Sequence, residues 1–153
     1  MKKLALLALT ALSSASAMAQ TPATLSDNNA TTADPAQWKT AASIMQSALE
    51  CRQRINPTDP ALRPLLPKNE TNQWALIPPK GFSVFGLPVQ LISIYIDPTG
   101  ELGASYTASV TASKAVAAKA AQLSGQRKTG SGSVRIDRGR RALLTGITCT
   151  VDN

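Results

Sequence analysis

Two stretches of the chain repeat with the two-residue period of a strand, one on each side of a single turn. In Val89 to Ile96 (VQLISIYI), Ile92, Ile94 and Ile96 fall on one face and Val89, Leu91 and Tyr95 on the other. Both faces are apolar, as a central strand requires. Leu102 to Thr111 alternates more cleanly, with Leu102, Ala104, Tyr106, Ala108 and Val110 inward and Gly103, Ser105, Thr107, Ser109 and Thr111 outward. Asp97-Pro98-Thr99-Gly100 between them has the composition of a type I turn, so the pair reads as a β-hairpin. Two later runs repeat the period. Ser133 to Asp137 places Val134 and Ile136 together, and Arg141 to Val151 places Leu143, Ile147, Cys149 and Val151 on one face.

Helical spacing appears twice. Trp38, Ala41, Ile44/Met45, Ala48 and Cys51 form one apolar stripe, preceded by Asp34 as a cap and Pro35 at the first helical position. Ser113 is placed to cap a second helix over Lys114–Leu123, with Val116, Ala117, Ala120 and Leu123 inward and Gly125 as its stop. The order is α-β-β-α-β-β. It predicts a small single α+β domain: an antiparallel or mixed sheet of about four strands with two helices on one face.

The remaining segments lack periodicity. Residues 20–33 are small and polar and read as a flexible leader ahead of a domain spanning 34–153. Residues 53–80 hold six of the ten prolines, so they read as a long proline-rich loop. Leu62, Leu65, Leu66 and Trp74 tie that loop to the body. GQRKTGSGS, 125–133, reads as a linker or hairpin tip.

The N-terminus adds an address. Met1-Lys2-Lys3 is positive, Leu4 to Leu12 is apolar, and Ala17-Met18-Ala19 is a small-x-small exit, so 1–19 reads as a cleavable secretory signal peptide. Its apolar stretch is shorter than the roughly 20 residues that span a bilayer, and no later run approaches that length. The expected location is periplasmic or secreted, with no transmembrane span. Export gives the two cysteines a meaning. An oxidising compartment favours a bridge between Cys51, on a helix face, and Cys149, on a strand face. It closes a loop of roughly 100 residues, for which chain entropy allows up to about 4.7 kcal/mol.

Charge points to a surface. The formal charge of +7 becomes +5 when Lys2 and Lys3 leave with the signal. From Lys114 to Arg141 the chain is strongly basic, with Asp137 its single acid. Arg135, Arg138, Arg140 and Arg141 lie on or beside one turn, with Arg127 and Lys128 in the preceding loop, and forked guanidinium groups there can grip carboxylates, phosphates or sulfates. No aromatic residue interleaves with them to stack bases, which argues against nucleic acid.

Catalytic chemistry has little to draw on. The chain has no histidine, so serine or cysteine triads and His-rich zinc sites are excluded. No phosphate-binding loop or nucleophile elbow appears. Asp97 and Glu101 are the one close carboxylate pair near a strand end, and turn formation already accounts for Asp97. No cofactor or metal is expected. The preferred reading is a non-catalytic exported protein that engages another envelope protein as an inhibitor or immunity-type factor, using the basic region, the loop around Trp74, or both. The alternatives are a module that binds anionic polymers or lipid headgroups through 127–141, and a small carboxylate-dependent envelope enzyme.

Overall fold

The structure, a computed structural model, describes residues 29–123, 125–139 and 143–152. The expected signal peptide, residues 20–28 of the expected leader, and Arg140 and Arg141 lie outside these residues. In chain order the elements are β1 (Thr31–Thr32), α1 (Pro35–Leu49), β2 (Gln73–Ile77), β3 (Ser83–Val84) and β4 (Leu87–Ile96). They continue with β5 (Ala104–Val110), α2 (Lys114–Ala120), β6 (Arg127–Lys128), β7 (Ser133–Arg138) and β8 (Thr145–Val151). The sheet has eight strands in the order β1-β2-β4-β5-β8-β7-β6, with β3 added beside β4. The β1–β2 pair is parallel and the other pairs are antiparallel, so the sheet is mixed.

This corrects the expectation of about four strands in the order α-β-β-α-β-β. The four expected strands are present as β4, β5, β7 and β8, and both helices are present. The four additional strands leave no period to read. β1, β3 and β6 are two residues long, and β2 carries Trp74, Ala75 and Leu76 buried in succession. Pro78 and Pro79 follow β2 rather than interrupt it, so the proline-rich segment contains an inner strand. The last residues of the segment read as a leader, Thr31 and Thr32, pair with Leu76 and Ile77.

Three apolar residues expected to face inward face solvent: Leu102 is 77% exposed, Val116 52% and Leu143 92%. Leu102 lies in the turn rather than in β5. The Asp97 N–H donates to the Gly103 carbonyl (2.9 Å), which widens the turn to Asp97–Gly103. Leu143 precedes β8. α2 stops at Ala120, with Gln122 (φ 54°) taking the left-handed position expected at Gly125.

Within the wide turn, the Asp97 carboxylate accepts from the Leu102 N–H (2.8 Å), the Thr99 hydroxyl (2.7 Å) and the Thr99 N–H (3.3 Å). These donors, the Leu102 amide foremost, hold its carboxyl below the ordinary value of 3.8. A depressed folded-state pKa contributes stability above the ordinary value and loses it as pH falls through the folded value. Part of the acid destabilisation below about pH 4 should therefore belong to Asp97, and Asp97→Asn should flatten it. Denaturant titrations at successive acidic pH values check this; an unchanged profile would remove the turn carboxylate as its source.

Both helices join one core on one face of the sheet. The Asp34 carboxylate caps α1 by accepting from the Ala36 and Gln37 N–H groups (3.0 Å each). Trp38, Ala41, Met45, Ala48 and Leu49 then form its buried stripe. The register lines up a single row across six strands: Trp74, Ile94, Tyr106, Cys149, Val134 and Arg127. Cys51 bonds to Cys149 in the middle of that row, with Cα atoms 5.2 Å apart. Cys51 is just beyond the helix rather than in its last turn, at φ 61°, a left-handed conformation that glycine usually fills at a helix end. The neighbouring Tyr106 hydroxyl accepts from the Ile55 N–H (3.1 Å) and fixes the chain leaving α1, while burial pushes the phenol up. The other face of the central strands is small and hydroxylated: Ser93, Thr107 and Thr148 are in register, and Thr107 and Thr148 share a hydrogen bond of 3.0 Å.

Candidate functional site

The basic end of the sheet is built by the β6–β7 hairpin. The Thr129 N–H donates to the Gly132 carbonyl (2.7 Å), leaving Gly130-Ser131 as the two-residue tip. The tip is docked on the end of α1: the Thr129 hydroxyl donates to the Cys51 carbonyl (2.7 Å) and the Ser131 hydroxyl to the Arg52 carbonyl (2.9 Å). The Ser131 and Gly132 N–H groups both turn to the Thr129 hydroxyl (3.2 and 3.1 Å), so this Gly-Ser-Gly run spends those donors internally. Gly132 is required where the hairpin crosses β8, because a Cβ there would lie 2.2 Å from the Thr150 carbonyl oxygen.

A strand alternates its side chains between faces, and this divides the arginine cluster. Lys128 and Arg135 lie on the hydroxylated face, in register with Ser133 and Thr148. Arg127 and Arg138 lie on the helix-covered face, in register with Val134 and Thr145. Arg135 is bound to Asp137 at 2.8 Å, with both side chains substantially exposed. Such a pair contributes little to stability and leaves the guanidinium accessible. Arg127 differs from the rest: it is half-buried, and its Nε is buried with no hydrogen-bond partner among the described residues. Arg138 and Lys128 are exposed. Among the described residues the ion pairs are Arg52–Glu50 and Arg135–Asp137, so Lys114, Lys119, Lys128 and Arg138 take part in none.

Trp74 is not part of this surface. It stands five strands from Arg127 in the shared row, about 24 Å along the sheet. It is buried, and its indole N–H donates to the Pro67 carbonyl (2.8 Å). Its exposed edge lines a cleft of about 450 Å³ with Pro57, Leu66, Ile96 and Pro98, rimmed by Arg63 and Lys68. The two surfaces expected from the sequence are therefore separate sites at opposite sides of the sheet.

No family model, curated protein or solved structure matches this chain. What the site can do rests on its own residues. Asp97, one of the two paired carboxylates, has its oxygens occupied by the turn. No group of three or more His, Cys, Asp or Glu among the described residues is arranged to hold a metal. The basic edge offers guanidinium and ammonium groups for carboxylates or phosphates.

Folding also adds residues that lie outside the cluster in sequence. α2 packs against β7 and β8. Between its flank and the outer side of β7 runs a shallow groove of about 420 Å³, lined by Lys114, Ala115, Ala118, Gly125, Arg135 and Ile136. Lys114 thereby joins Arg135. The signal present in the sequence is the helix itself: Ala117 and Ala121 turn inward and are buried, while Lys114 and Lys119 stay exposed.

Proposed function

We propose that this is an exported, non-catalytic binding protein that engages another envelope protein through the basic β6–β7 end, as an inhibitor or immunity-type factor would. The observation that carries this reading is the group of exposed cations on β6, β7 and α2, of which Lys114 and Arg135 line one groove. Export rests on the signal-like N-terminus. The Cys51–Cys149 bond supports it, because such bonds persist in oxidising compartments. Among the described residues no helix is long and apolar enough to cross a membrane.

The test begins with capture of the 20–153 chain's partner from an envelope extract, identified by mass spectrometry. Lys128→Ala with Arg138→Ala should lower affinity for that partner by about tenfold, chiefly through slower association and a weaker salt dependence. Both side chains are exposed, so the melting temperature should hold. Undiminished affinity would take this edge out of the interface. Retention by an anionic polymer or lipid in place of a protein would move the reading to charge-driven adhesion at the envelope surface.

A further inference from the structure

Beyond Val134 the outer edge of β7 pairs with no strand among the described residues. β6 supplies two residues, paired with Val134 and Ser133, whereas β7 continues to Arg138. Two hydrogen bonds set the phase of its main chain. On the β6 side Gly132 accepts from Thr129, and on the β8 side the Gly139 N–H donates to the Leu144 carbonyl (2.8 Å). Main-chain groups alternate sides along an antiparallel strand. Ser133, Arg135 and Asp137 therefore turn theirs to β8, and Val134, Ile136 and Arg138 turn theirs outward. Val134 meets β6. Among the described residues, Ile136 and Arg138 meet no strand, and the groove against α2 lies beside them.

We propose that this edge takes an extended acidic segment of the partner protein as an added strand, laid along Ile136–Arg138 beneath the flank of α2. The inference rests on the reading of the basic end as a binding surface and specifies the chemistry of its occupant. Strand addition uses the outward N–H and C=O groups of Ile136 and Arg138 for affinity and alternate side chains for specificity. The flanking charges decide the sign. A guest's carboxylates on one face meet Arg135, which already holds Asp137, and those on the other meet Arg138 and Lys114. Ala115 and Ala118 have no bulk to block the groove.

The probe is a synthetic peptide of alternating glutamate and valine, long enough to span β7, with a lysine–valine peptide as control and amide hydrogen exchange followed by NMR. The expected result is binding of the acidic peptide alone, with exchange at the Ile136 and Arg138 amides slowed by about tenfold. Arg135 and Asp137, already facing β8, should change little. N-methylating every second peptide amide should abolish the effect in one phase and spare it in the other. Binding without slowed exchange at Ile136 and Arg138 overturns strand addition and leaves charge-driven recognition standing. Absence of peptide binding, while partner capture still depends on Lys128 and Arg138, overturns this inference alone. If capture is also indifferent to those residues, both readings fall. Protection that grows with protein concentration in the absence of peptide would identify a second copy as the occupant and equally overturn the proposal.

Discussion

Cys51→Ser and Cys149→Ser should each lower the unfolding free energy by about 2–5 kcal/mol, and the double variant should lose no more than either single one. The bond joins residues 98 apart in sequence, so cutting it releases a large loop in the unfolded chain. Both sulfurs are fully buried, and Cys149 stands between Tyr106 and Val134 in the row that crosses the sheet. Neither cysteine has another partner to lose, which is why the second substitution should add little. Denaturant titrations of the three variants, and of the wild type under reductant, should converge on one reduced stability. Losses that add would mean that each sulfur contributes through packing of its own and the bridge through very little.

Trp38→Ala should cost about 3–5 kcal/mol, the range for deleting a large aromatic from a core. Trp38 lies near the start of α1, opposite the disulfide end. Its ring meets Phe82 edge-on, with centroids 4.8 Å apart and planes at 86°. Phe82 leads into β3, so the tryptophan joins the helix to the β3–β4 hairpin as well as to the sheet. Aromatic pairs of this geometry add about 0.5–1.5 kcal/mol beyond the area they bury. Trp38→Phe should therefore retain much of the stability that alanine loses. Denaturant midpoints for the two variants check the ranking. Equal losses would mean that the contact with Phe82 depends on the full indole.

These anchors are legible in the amino-acid sequence, for specific reasons. Asp34, Pro35 and the stripe from Trp38 announce α1 because caps and one-sided burial act locally. The β4–β5 pair is legible because its turn and its alternation agree. The bridge is legible because both cysteines fall on apolar faces. Other features depend on neighbours that sequence does not supply. A two-residue strand such as β6 exists only through its register with β7. β2 is buried on both faces and shows no alternation. Leu102 and Leu143 are apolar yet exposed, because turn hydrogen bonds and the start of β8 decide their direction. At the basic end, composition locates the cations but not their geometry. Successive arginines on β7 point to opposite faces, Lys114 arrives from another element, and Trp74 lies across the molecule.

The position of β8 has a consequence for how the molecule comes into being. It is the last strand in chain order, yet it lies between β5 and β7. Before it emerges, the chain can assemble only two fragments, one around the β4–β5 hairpin and one consisting of β6 and β7. The cysteine that closes the covalent loop travels on the same strand. Closure of the sheet thus waits on β8 and depends on contacts of long sequence separation, which form slowly. Under the proposed export, this ordering would keep the polypeptide open while it is threaded across a membrane, and the sheet would close and the thiols oxidise together on the far side.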